Sequence, residues 1–537
     1  METVGIHGLE LVVLLLMIAI VALASLAKKL DTPYPIILVI GGLIISFVPG
    51  VPKVALNPDI VFLVILPPLF FSSAYVTSWR AFRYNMVSIA MLAFGLVGFT
   101  VAGVAAASRL LLPGFTWRTG LVLGAVVSPT DAIAATSIAE RLNLPKQIVD
   151  VLEGESLVND ASGLLALEFA TALLVSGRKP GVAAGTLQLL YLVFGSIVIG
   201  LVAGRIIRWL ETRIDDAAIE ITMSLIAPYF AYLGAESAHS SGVLATVVCG
   251  MYLGHYRSLY LSTAARLTGE AVWNTLTFIL NGIVFILIGL QLPYLLPVVR
   301  EAGLGRMIGY GLALSAVLIL LRLLWMYPGA EVAYQIRHKL LHQDNKRANP
   351  RAIFIVGWTG MRGVVALAAA IALPDVLDNG QPFPHRGLII FLTFCVIFVT
   401  LVLQGLTLPA VIRKMGLAGT AAGNASDEQA RRAMIDAALA YLEHSRETDN
   451  PEFEPVYTDL IRFQERRREL IEADGVEQQP TAREHMERYR ELSRQVRRVQ
   501  RATILHMRNQ GEIDDELMRR MERELDLVEV RFSSSER

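Results

Sequence analysis

Residues 153–163 read EGESLVNDASG, which sets Glu153, Glu155 and Asp160 beside Ser156 and Asn159, immediately ahead of the apolar run LLALEFATALLV. On a helix, Ser156, Asn159 and Asp160 stand at i, i+3 and i+4, so their oxygens converge on one face, with Glu155 one turn before Asn159. The plainer reading is a solvated helix start in which Ser156 or Glu155 serves as a cap. The surrounding chain decides between them.

Of the 537 residues, 54% are hydrophobic and 18% charged, whereas about a quarter are charged in a soluble domain. Mean hydropathy is +0.51. This composition is that of a membrane protein, surrounded by lipid. The formal net charge of +0 points to no nucleic-acid or acidic partner. Cys249 and Cys395 both sit in apolar runs and read as small buried hydrophobes. The first apolar run, from Gly8, lacks a basic n-region and is followed by Lys28 and Lys29. It reads as a retained span with its N-terminus outside.

A spanning helix needs about 20 mostly apolar residues, and on that rule about thirteen spans are expected. They fall near 8–27, 35–49, 59–76, 86–112, 118–139, 156–176, 185–204, 217–236, 241–254, 270–292, 307–330, 352–373 and 387–412. Loop charge agrees, since Lys and Arg gather on the cytoplasmic side. The expected inner loops carry Lys28, Lys29, Arg80, Arg83, Arg141, Lys146, Arg205, Arg208, Arg213, Arg257, Arg266, Arg337, Lys339, Lys346, Arg347 and Arg351. The outer ones carry only Lys53, Arg118, Arg178, Lys179, Arg300, Arg306 and Arg386. An odd span count then leaves the C-terminus in the cytoplasm. After a membrane region over 1–415 and a small-residue linker at 416–428, residues 429–537 turn highly charged with helical apolar spacing. That tail reads as a few amphipathic helices around a TAREH turn, suited to assembly or regulation. It shows no nucleotide or metal motif, and no cofactor is expected.

Ionisable residues at membrane depth are costly and mark an ion or substrate pathway. The opening stretch is therefore a cage of hard oxygens suited to an alkali cation. A carboxylate in low dielectric favours its neutral form, so proton and cation compete for it. A second cluster lies in LVLGAVVSPTDAIAATSI (121–138), where Pro129 removes a backbone donor in mid-span amid Ser128, Thr130 and Asp131. The helix is expected to break there, and transporters bind ions at such breaks. A simple proline kink is the rival, although a kink needs no carboxylate. The third cluster, IFIVGWTGMRGVVALAAAIALP (353–374), sets Gly357, Gly360 and Gly363 around Arg362 and suggests a second break. Arg362 needs an anionic or carbonyl partner there, which Glu155 or Asp131 could supply. The breaks fall in the fifth and twelfth expected spans, the pattern of inverted repeats with two crossed discontinuous helices.

SPTDA (128–132), EGESLVND (153–160), GMRGVVALAAAIALP (360–374) and LVLQGLTLP (401–409) resemble motifs of the bacterial and archaeal sodium/proton antiporters related to eukaryotic sodium/proton exchangers. The likeness covers residues 8–415. It implies an all-α polytopic fold of about thirteen spans with crossed discontinuous helices, a homodimer, and alternating access in a bacterial inner membrane. It also implies that Asp160 is the shared Na+ (or Li+ or K+) and proton site, with Ser156 and the Thr130 backbone region as ligands. Asp131 would sit at the helix crossing, and Glu155 with Arg362 would orient Asn159. Members with an Asn-Asp pair are generally electroneutral, and the exchange serves pH and sodium homeostasis. Several relatives carry a glutamate after LPPL in the third span, where this chain reads LPPLFFSSAY with Ser72 and Ser73. Two other classes compete with the antiporter. A passive cation channel lacks a TVGYG-like filter. An intramembrane hydrolase using Ser156 would need a base such as His239 or His255 in its plane.

Overall fold

A computed structural model describes residues 6–49, 56–175, 182–296, 303–343, 347–378, 380–419 and 424–475, with scattered positions between 488 and 521. The TAREH turn, and the outer-loop residues Lys53, Arg178, Lys179 and Arg300 with the inner-loop Lys346, lie outside the described residues. The chain divides into two compact units, 1–421 and 422–537.

Among the described residues the regular structure of the first unit is helical, with one isolated bridge between Val376 and Pro382. Its helices are α1 (Ile6–Lys29), α2 (Tyr34–Ile45), α3 (Pro58–Val76), α4 (Trp79–Leu111), α5 (Trp117–Val127), α6 (Ile133–Arg141), α7 (Lys146–Val175) and α8 (Val182–Glu211). There follow α9 (Ala217–Ser237), α10 (Gly242–Tyr260), α11 (Thr263–Leu290), α12 (Leu304–Leu340), α13 (Pro350–Trp358), α14 (Val364–Ile371) and α15 (Arg386–Met415). Each expected span overlaps one of these helices or a broken pair, with bounds that differ by several residues. Among the described residues, nine helices are long and apolar enough to cross a membrane. Leucine, isoleucine and phenylalanine stay exposed along α1 and α8, for example Leu14, Ile18, Leu187 and Phe194, as a lipid-facing surface requires.

The second unit holds α16 (Asn424–Thr448) and α17 (Glu454–Gly475), an antiparallel pair closed over Ile435, Leu439 and Ile461. Helix α16 begins inside the stretch expected to be linker.

Both expected breaks exist, and backbone bookkeeping explains them. A Thr116–Thr119 capping box starts α5, which stops at Val127 because Pro129 has no N–H to give. The Ser128 hydroxyl supplies the missing donor, bonding the Ala125 carbonyl at 3.0 Å. Residues 128–132 then run without helix, and the Asp131 carboxylate takes the Ile133 N–H at 2.8 Å to start α6. In the other half, Asn349 caps α13 with Pro350 in its first turn, and the chain opens at 359–363 before α14. The two openings meet where the Asp131 N–H donates to the Met361 carbonyl at 2.8 Å. Gly363 permits the contact, since a Cβ there would stand 2.8 Å from the Asp131 Cγ.

Candidate functional site

Two buried arginines face the two broken ends. A helix leaves its last carbonyls unpaired and carries partial negative charge there. At the end of α5, Arg362 Nε donates to the Val127 carbonyl at 3.1 Å, and its Nη1 to Gly360 O. At the end of α13, Arg322 of α12 donates to Gly357 O at 3.2 Å and Val356 O at 3.0 Å. Each arginine is 1% exposed. Gly360 leaves room for the second: a Cβ there would come within 2.6 Å of Arg322 Nε.

The partner of Glu155 is Arg322, while Arg362, for which the sequence left an anionic or a carbonyl partner open, takes carbonyls. Arg322 Nη1 and Nη2 reach the two carboxylate oxygens at 2.5 and 2.8 Å, a bidentate pair. The physical reason is reach. Arg362 is spent on carbonyls of its own crossing, and its backbone N–H donates to Thr400 Oγ1 at 3.1 Å. Arg322 stands alone in the run LILLRLLW, where the rule that singled out Arg362 applies equally well.

From Glu155 the order passes to Asn159 through Thr130. The Thr130 hydroxyl donates to Glu155 Oε1 at 3.0 Å and accepts from Asn159 Nδ2 at 2.5 Å. Asn159 Nδ2 also approaches the Thr130 carbonyl at 3.3 Å, and Ser156 Oγ donates to that carbonyl at 3.2 Å. Ser156 Oγ in turn accepts the Ala132 N–H at 3.3 Å. Its hydroxyl is thus held by the broken backbone, with neither His239 nor His255 bonded to it. The expected cluster of Thr130, Asp131, Glu155, Ser156, Asn159 and Asp160 is assembled around one crossing.

Two acceptors remain unused. Asn159 Oδ1 is buried without a hydrogen-bond partner among the described residues. Asp160 is 6% exposed and forms no hydrogen bond or ion pair among the described residues. Asp160 borders a cavity of about 160 Å³ with Asp131, Ser156, Glu153, Ser73 and Asn281. Leu69, Ser73, Val76, Ile133 and Asn281 also line a wider cavity of about 660 Å³, with Ser72, Glu220, Arg257 and Glu270 on its walls. The fold sets Asn281 between the two spaces. Ser73 borders both, and Ser72 only the wider one.

Crossed discontinuous helices, charge-balanced at their ends and open to a cavity with an unpaired carboxylate, define a polytopic helical transporter of ions. The transmembrane sodium/hydrogen exchanger model matches residues 14–414. The chain belongs to the sodium/hydrogen exchanger family. A protein of Mycobacterium tuberculosis named as an uncharacterized Na+/H+ exchanger is 32% identical over 99% of this chain and 98% of its own. A sodium, potassium, lithium and rubidium/H+ antiporter of Bacillus subtilis is 32% identical over 74% of this chain and 60% of its own. The solved structure of the sodium proton antiporter MjNhaP1 from Methanocaldococcus jannaschii superposes with a TM-score of 0.59 at 19% identity, covering 77% of this chain and 98% of that one.

Proposed function

We propose that the protein exchanges a monovalent cation for protons by competition at Asp160. The observation that carries this reading is the Asp160 carboxylate, buried, facing a cavity and unpaired, while Glu155, Arg322 and Arg362 around it are all engaged. Moving a bare carboxylate through low dielectric costs several kcal/mol, so the site crosses only when neutralised by a proton or a cation. Ser156 Oγ, Asn159 Oδ1 and the Thr130 carbonyl supply neutral oxygens beside it for a dehydrated alkali cation.

One positive charge in each direction makes the exchange electroneutral. Na+ is the first substrate to expect, with Li+ and K+ as alternatives, because this chain has Ser72 and Ser73 in the stretch where several relatives of this type carry a glutamate. The wider cavity opens between the end of α3, the start of α9 and the α10–α11 connection. Loop charge places those ends in the cytoplasm, so this conformation faces inward, with the N-terminus outside. The setting is a bacterial inner membrane, the assembly a homodimer, and the role pH and sodium homeostasis. Residues 1–415 carry transport, and the tail from 429 regulates it.

The test is proton movement in liposomes under an imposed pH gradient, adding Na+, Li+ or K+ in turn. A cation should collapse the gradient with wild type and not with Asp160→Asn. Equal collapse by both proteins would remove Asp160 from the mechanism.

A further inference from the structure

The narrow cavity beside Asp160 draws its lining from helices of different chemistry. From the crossing and its neighbours come Asp131, Thr136, Glu153, Ser156 and Asp160. From α3 and α11 only Ser73 and Asn281 bring polar side chains among the described residues; the rest of that lining is leucine, valine and phenylalanine. Asn281 ends a polar track. Glu270, Asn274, Thr277 and Asn281 recur at i, i+4, i+7 and i+11, one face of α11, and all four line the wider cavity. Beyond Asn281 the helix runs GIVFILIGL, with no further polar side chain, and of the four Asn281 alone also borders the narrow cavity.

An amide buried at this depth costs free energy unless its polar atoms are met, and Asn281 is 9% exposed. Tyr34, in the first turn of α2, packs its ring on Phe278 with centroids 5.7 Å apart, and its hydroxyl reaches the Asn281 side chain. One hydroxyl cannot exhaust an amide. The amide oxygen has two lone pairs, so it keeps acceptor capacity whichever way the hydroxyl points. The backbone that carries it is fixed: at the next residue, Gly282, a Cβ would stand 2.7 Å from Ile20 Cγ2 of α1. The Thr277 hydroxyl, one turn earlier, is committed to the Trp273 carbonyl at 2.8 Å. Arg266, the arginine of α11 on the wider cavity, lies about 22 Å back along the helix at 1.5 Å per residue and is spent on the Leu261 carbonyl and Thr263 Oγ1.

We propose that Asn281 is a specificity-determining residue of the exchange site: its amide oxygen accepts a hydrogen bond from a water that the cation at Asp160 retains, which favours Na+ and Li+ over K+. The narrow cavity has room for several water molecules between its lining residues. Smaller cations give up their water more reluctantly and polarise it more strongly, so a neutral acceptor placed for that water counts for more with them. Asp160 supplies the charge and the protonation chemistry; Asn281, on a helix outside the crossing, supplies discrimination among ions of equal charge. The role deepens the reading of competition at Asp160 and rests on it.

The test is calorimetric titration of Na+, Li+ and K+ into the purified full-length protein at one alkaline pH. Asn281→Leu, close in volume and without polar atoms, should weaken Na+ and Li+ about tenfold and K+ clearly less, the loss expected for one hydrogen bond to a strongly polarised donor. Asn281→Asp keeps an oxygen acceptor in the same place and should keep the wild-type order of the three cations. Asn281→Ala carries the same expectation as the leucine variant should that one not fold. Apolar variants with wild-type affinities, or with all three cations weakened equally, overturn the specificity role. Wild type that binds none of the three overturns competition at Asp160 itself, and this role with it.

Discussion

Arg322 and Glu155 form a two-pronged ion pair, at 2.5 and 2.8 Å, that also locks the end of a broken helix through Val356 O and Gly357 O. One side chain therefore holds the α13 end, the carboxylate on α7 and, through Thr130, the Asn159 amide. A buried pair of this kind is strongly destabilised when one partner goes, because the other is left charged and dry.

Arg322→Gln is accordingly expected to lower stability by about 3–5 kcal/mol, read as a drop in unfolding temperature in detergent. Adding Glu155→Gln should recover part of that loss. Arg322→Lys should not restore the parent, since an ammonium cannot reproduce a bidentate fork and two carbonyl bonds together. A double variant less stable than Arg322→Gln alone would contradict this account.

Gly363→Ala should cost roughly 1–3 kcal/mol and lower transport, because the new methyl meets the Asp131 side chain at the crossing. Gly98→Ala, where nothing lies within 4 Å, is the matched control and should behave as wild type. Equal effects at the two positions would mean that the Gly363 contact does not constrain the crossing.

Ser73→Glu places a carboxylate in the cavity that Asp160 borders, and Ser72→Glu places one only in the wider cavity. Ser73→Glu should lower KM for Na+ several-fold, and Ser72→Glu should do so less, in line with their distance along the access route. The reverse order in a liposome KM series would show that the cavity is not the cation path.

The exchange rate should not change when a membrane potential is imposed with valinomycin, and no current should accompany transport. Current that scales with cation concentration would mean that a second titrating group, with Asp131 the nearest candidate, carries charge through the cycle.

Much of the fold is legible from residue types with obvious physical cost. Pro129 in mid-span demands a break, and so do the glycines around Arg362; the two breaks meet through Asp131 N–H and Met361 O. The oxygen face of Ser156, Asn159 and Asp160 follows from helical spacing. What does not follow is partner choice across the bundle. Glu155 and Arg322 are 167 positions apart, and no local pattern tells which of two membrane arginines will arrive beside a carboxylate. Asn281 is equally opaque, because its value depends on a cavity formed by helices α3, α6 and α11 together. The start of α16 inside the small-residue stretch has a simpler cause, since alanine-rich sequence supports helix as readily as linker.

The central claim is that proton and cation compete for Asp160, and calorimetric titration of Na+ into the purified protein at stepped pH measures it most directly. Wild type should release one proton per cation bound, and its affinity should weaken about tenfold per pH unit once the site is protonated. Asp160→Asn should show no proton release. Na+ binding to wild type that is independent of pH, or proton release that survives in Asp160→Asn, would contradict competition at this carboxylate.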